Sequence, residues 1–111
     1  MLSQKIQDTL ENFDIDLDEY KEFLGDLETN FNELTPIARA AIEDSDASAA
    51  SDQMHSIKGS AGSLGLNITY EKAQELEQQY KNSLDENSLA NLDELIKIFK
   101  EEMAEIHESL Q

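Results

Sequence analysis

Residues 17–41 read LDEYKEFLGDLETNFNELTPIARAA. Leu17, Tyr20, Leu24, Leu27, Phe31, Leu34, Ala38 and Ala41 recur at alternating spacings of three and four, the seam of a helix that packs in a bundle. Pro36 falls inside this seam. Thr35-Pro36 could open a new helix, with Thr35 as cap and Pro36 in the first turn. The register runs through the proline without a slip, which favours one long helix bent at Pro36. Gly25 lies inside this helix, off the seam. Upstream, Asp16 with Glu19 forms a capping-box pattern. Further upstream, Leu2, Ile6, Leu10 and Phe13 make the apolar edge of a short helix from about Ser3 to Asn12.

Downstream, Asp44-Ser45-Asp46 breaks the pattern, and either Asp46 or Ser45 can cap a third helix. That helix ends near Gly65, a natural C-terminal glycine. Its buried stripe is Ala50, Met54, Ile57, Ala61 and Leu64. Leu66 and Asn67 form a corner. A fourth helix runs from about Ile68 to Asn82 with Ala73, Leu76 and Tyr80 inward. Leu84 to Asn87 read as a loop, and a fifth helix starts near Ser88. Leu92, Ile96, Phe99, Met103, Ile106 and Leu110 form its inner stripe. One proline, four glycines and no strand-like alternation give an all-α chain. Four long helices on short loops predict an up-and-down four-helix bundle, with the short N-terminal helix capping one end. At 111 residues the chain has room for one core, so residues 1–111 are expected to form a single domain.

Eight basic and 25 acidic residues give a net charge of −17. Such a surface repels phosphate backbones and anionic lipid, which argues against nucleic acid and membrane as partners. There is no cysteine, hence no disulfide and no thiolate metal site. No apolar run is long enough to span a bilayer and the N-terminus has no signal-peptide pattern, so a soluble cytoplasmic protein is expected. Closed seams predict a monomer. Met1 and a last helix reaching Gln111 lean toward a free-standing protein.

The chemistry concentrates in residues 54–65, MHSIKGSAGSLG. On a helix, His55, Gly59 and Gly62 fall together, opposite the buried stripe, and Lys58 lies between the two faces, one turn from His55. Each internal glycine costs about 1 kcal/mol relative to alanine. Glycine also serves close helix packing, but Gly59 faces away from the core stripe, so the pattern points to an approach from outside. Between Ala47 and Tyr70 the charged residues are Asp52 and Lys58 alone, and His55 sits at the centre of this near-neutral patch. Burial does not account for the neutrality of Ser56, Gly59, Gly62 and Ser63, whereas a surface that accepts an acidic partner does.

His55-Ser56-Ile57-Lys58-Gly59-Ser60-Ala61, followed by Gly65, resembles the signature of histidine-containing phosphotransfer (HPt) domains, and is similar to the phosphoacceptor domain of chemotaxis kinases. Asp46 stands where the family often starts this helix with an acid, and Leu76-Glu77 matches the family's Leu-Glu in the next helix. The likeness runs from about Asp18 to Asn82, apart from a few extra residues before Asp46. It implies a helical bundle and a phosphorelay function. His55 would accept a phosphoryl group from a receiver-domain aspartyl phosphate and pass it to another receiver aspartate.

Ordinary histidine titrates near pH 6.5, so a neutral, nucleophilic imidazole is available at neutral pH. The resemblance implies that Lys58 offsets phosphoryl charge, and that Glu77 hydrogen-bonds the unreactive ring nitrogen; Gln78 or Gln74 could do so on a rotated helix. Ser56, Gly59, Gly62 and Ser63 would form the docking face for response-regulator receivers or a hybrid sensor kinase. No cofactor of its own is expected, and Mg²⁺ would reside in the partner receiver. Residues 59–65 are neither a P-loop nor a dinucleotide fingerprint, so the phosphate must be supplied by a partner. His107 reads as a surface residue near a helix C-terminus. The competing reading is a helical adaptor that binds receivers or kinases without being phosphorylated.

Overall fold

A computed structural model of the chain describes residues 4–110. Five helices follow in order: α1 (Gln4–Phe13), α2 (Leu17–Glu43), α3 (Ala47–Ser63), α4 (Asn67–Asn82) and α5 (Ser88–Ser109). No strand occurs among the described residues. α3 packs against α2 and α4, and α5 packs against both α4 and α2, so contacts close a ring of four helices.

α2 starts where its capping box predicts. The Glu19 N–H donates to Asp16 Oδ1 at 2.8 Å, and the Asp16 N–H donates to Glu19 Oε1 at 3.2 Å. It continues through Pro36 unbroken, so Thr35 does not open a new helix. Tyr20, Leu24, Leu27, Phe31, Ala38 and Ala41 are buried as the seam requires, while Leu17 and Leu34 are half-buried and Thr35 and Ile42 join the core. Phe31 stacks on Phe99 of α5 with ring centroids 3.7 Å apart.

Of the two candidate caps for α3, Asp46 is the one used: its side chain accepts the Ala49 N–H at 3.0 Å, and Ser45 takes a left-handed turn with φ 60°. At the other end Gly65 has φ 86°, a conformation glycine enters without strain. The Leu66 N–H donates to the Ala61 carbonyl at 2.9 Å and the Gly65 N–H to that of Gly62 at 3.3 Å, a Schellman closure. Leu66 is thereby buried at the corner. Leu64, expected in the buried stripe, is half-buried instead, and its carbonyl accepts the Tyr20 hydroxyl at 2.8 Å.

The first turn of α4 has no side-chain cap from its own sequence. Glu102 of α5 replaces it, accepting the Ile68 N–H at 3.0 Å and the Thr69 N–H at 2.8 Å. Glu102 is buried within the inner stripe of α5, and Lys5 of α1 lies 3.7 Å away. In that stripe Leu92, Phe99, Met103 and Ile106 are buried as expected, Leu95 joins them, and Ile96 and Leu110 are half-buried against the core. Burial, with the Glu102 charge second, pushes the Tyr20 hydroxyl up to about 12, so it remains a donor.

α1 contributes Ile6 to the core and places Thr9 against the corner, 3.1 Å from where a Cβ on Gly65 would be. Leu10 is half-buried, but Phe13, expected on the apolar edge, is 55% exposed. Leu2 lies outside the described residues. No described helix is long and apolar enough to cross a membrane.

Removing the Glu102 carboxylate leaves two N–H groups at the start of α4 without an acceptor. Glu102→Ala is expected to lower stability by about 2–3 kcal/mol, the scale of charge-assisted hydrogen bonds, with Glu102→Gln losing less. Urea unfolding measures it, and a loss under about 0.5 kcal/mol would show that water takes over the cap.

Candidate functional site

The site lies where α3 crosses α4. Ala50 and Ala61 of α3 and Ala73 of α4 are fully buried. The two helices approach closely enough for the Ser51 hydroxyl to donate to the Glu77 carbonyl at 3.4 Å. Glu77 follows the core residue Leu76 and is itself buried, with 4% of its side chain exposed.

Both oxygens of that buried carboxylate are engaged. Lys58 Nζ donates to Oε1 at 2.7 Å, and His55 Nδ1 lies 2.9 Å from Oε2. Lys81 Nζ, one turn along α4, is 3.5 Å from the same Oε2. The Lys58 hydrogen bond holds the Glu77 carboxyl below its ordinary value of 4.5 against the opposing effect of burial, helped by the His55 hydrogen bond and the Lys58 and Lys81 charges. An ionised carboxylate only accepts, so the pairing requires the proton on Nδ1 and leaves the ring's lone pair on Nε2. The ring is held at one nitrogen while 69% of the side chain stays exposed.

His55, Lys58 and Glu77 therefore meet. Gln74 and Gln78 are both exposed, and it is Glu77 that meets the ring. Lys58 sits on Glu77 with 20% of its side chain exposed, rather than standing unpaired beside the ring. Ser56, Gly59, Gly62 and Ser63 are all exposed, and Ser63 Oγ donates to the Gly59 carbonyl at 2.9 Å. The two glycines differ. A Cβ at Gly59 would meet nothing within 4 Å, but one at Gly62 would lie 2.8 Å from Tyr70 Cδ2. The expectation that Gly62 leaves open room is corrected: glycine is needed there because the Tyr70 ring of α4 packs against it. His107 is exposed in the last turn of α5.

Beside the outer face of α3 lies an open groove of about 570 Å³. Phe13, Ile15, Phe23, Leu27 and Leu64 supply its apolar wall, and Ser60 and Ser63 join it to the exposed face of α3. Phe23 and Lys81 escaped the sequence reading. Phe23 is an aromatic off the α2 seam, and Lys81 follows Glu77 at the i,i+4 spacing of a helix ion pair; both signals are visible once sought.

Two results are expected. The depressed Glu77 carboxyl stabilises the fold above its unfolded-state value and loses that contribution as pH falls through the folded value. Wild type should therefore be more stable than Glu77→Gln at neutral pH, with the gap closing only below about pH 4.5 in urea unfolding followed against pH. Gly59→Ala is expected to raise stability by up to about 1 kcal/mol, whereas Gly62→Ala, which must displace Tyr70, should not gain it. Equal gains at both positions would remove the packing account of Gly62.

Comparison with curated proteins and with solved structures gives no match. The Hpt domain family matches residues 11–109, which takes in α2 to α5 whole together with His55, Lys58 and Glu77. With nearly all of its length matched, the chain belongs to the Hpt domain family.

Proposed function

We propose that His55 is the phosphoacceptor of this Hpt domain, and that the chain carries a phosphoryl group between receiver domains. Hpt domains act in phosphotransfer within phosphorelay signalling and interact with receivers and kinases. The observation that carries the finer reading is the exposed His55 ring held through Nδ1, 2.9 Å from the buried Glu77 carboxylate. That contact presents Nε2 with its lone pair outward. Nε2 attacks the phosphorus of a receiver's aspartyl phosphate, the N–P bond forms as the acyl P–O bond breaks, and the aspartate carboxylate leaves. The ring gains positive charge in the step, and the adjacent Glu77 carboxylate offsets it. Transfer to the next receiver reverses these bonds.

Phosphoryl transfer depends mostly on alignment and charge stabilisation. Lys58, one turn from His55, supplies an ammonium that can turn from Glu77 to the phosphoryl oxygens. Mg²⁺ belongs to the receiver. The docking face comprises Ser56, Gly59, Gly62 and Ser63 and continues into the groove walled by Phe13 and Phe23. Gly59 keeps that face low. The ring of helix contacts and the short loops support an up-and-down four-helix bundle, with α1 over the end where α3 turns into α4; we take the domain to be a cytoplasmic monomer.

The test is transfer from a phosphorylated receiver in the presence of Mg²⁺, with wild type and His55→Gln side by side. Acid-labile, base-stable label on wild type and none on a folded, receiver-binding His55→Gln is the expected result. No label on wild type from several receivers that it still binds would overturn the reading in favour of an adaptor.

A further inference from the structure

Glu77 holds two cations, and the proposed reaction needs only one of them at the phosphoryl group. Lys58 takes Oε1 at 2.7 Å, while Lys81 lies 3.5 Å from Oε2, the oxygen that also meets His55 Nδ1. The titratable and charged groups against Glu77 are His55 and Lys58 from α3 and Lys81 from its own helix; among the described residues no charge of α2 or α5 pairs with it.

When Lys58 turns toward the phosphoryl group of a docked aspartyl phosphate, before the bond to Nε2 forms, a carboxylate with 4% side-chain exposure loses its nearest counter-ion. Burial favours the protonated form of a carboxylate that has no cation beside it. Protonated, it no longer needs a proton on Nδ1, and the ring can move its hydrogen to Nε2, which removes the lone pair the reaction uses. Lys81 stands at the oxygen where this matters.

We infer that Lys81 is a positioning residue for phosphotransfer: it keeps the Glu77 carboxylate on the Nδ1 side of His55 while Lys58 is drawn away to the phosphoryl group. This rests on His55 being the phosphoacceptor. Lys81 is one turn beyond Glu77 with 55% of its side chain exposed, so it can stay on Oε2 without reaching the reacting atoms itself.

The experiment separates the two claims. Lys58→Met mimics departure of the first ammonium. In that background and in wild type, Lys81→Met and Lys81→Arg are compared by the ¹³C titration of the Glu77 carboxyl and the ¹⁵N shifts of the His55 ring, in unphosphorylated protein. Lys81→Met is expected to move the carboxyl midpoint upward and to shift hydrogen from Nδ1 to Nε2, more strongly once Lys58 is gone, with Lys81→Arg restoring both. In transfer from a phosphorylated receiver, Lys81→Met alone should slow the step about two- to fivefold at unchanged receiver affinity, the size of a partly exposed ion pair. A midpoint and tautomer that ignore residue 81 in both backgrounds would overturn the inference. Absence of label on wild type overturns the phosphoacceptor reading instead, while the titration still decides whether Lys81 holds Glu77.

Discussion

A carboxylate removed from water must be paired, and Glu77 is the residue for which this is most demanding. Its two oxygens face different partners on α3, so the pairing fixes geometry as well as charge: Lys58 on Oε1 sets the rotation of the carboxylate, and Oε2 then meets one particular nitrogen of His55. Replacing Glu77 by a neutral amide would keep the shape and remove the preference for a proton on Nδ1, since an amide both donates and accepts. The exposed histidine inherits its tautomer from a buried acid on the next helix.

That contact requires α3 and α4 to keep a fixed axial register, and the register is set at the corner joining them. Thr69, at the start of α4, is roughly 12 Å along the helix from Glu77 at 1.5 Å per residue. A slip of one residue there would carry Glu77 off the line to His55. The corner is tied from three sides. Gly65 closes α3 through its left-handed φ, the Tyr20 hydroxyl takes the Leu64 carbonyl, and Glu102 takes the first N–H groups of α4. α2 thus contributes one hydrogen bond and α5 two to the placement of a site that neither of them lines. Helix rigidity transmits that placement along α4.

Much of this was legible in the sequence because it depends on neighbours along the chain. The Asp16–Glu19 box, the Asp46 cap, the glycine closing α3 and the α2 seam are local, and each occurs where the residues predict. What was not legible depends on residues far apart. Glu102 reads as one more acid among 25 until α4 brings its bare N-terminus to it. Gly62 and Gly59 share a face and look alike; Tyr70, from another helix, distinguishes them. Glu77 taken by itself could equally have been a solvated helix acid; its contact with His55 is expected only from the resemblance carried by Leu76-Glu77, and its pairing with Lys58 is not expected. Phe13 continues an apolar edge on paper yet ends exposed at the groove, because α1 stops there and the chain turns into α2.

Gly59 is the remaining question of energy. Gly65 is required by its backbone angle and Gly62 by the Tyr70 ring, so the fold accounts for both. Gly59 has neither reason, being exposed, helical and open on the side where a Cβ would stand. Gly25 of α2 is also exposed and open, but two residues on from Phe23 it stands about 200° around the helix, away from the groove. Each forgoes about 1 kcal/mol that alanine would contribute, on a domain whose total stability is a few times that. Gly59, unlike Gly25, lies within the one stretch of an otherwise acidic chain that is nearly free of charge. A surface kept low, neutral and partly apolar at a cost in stability is shaped for another molecule, and His55 is within its bounds.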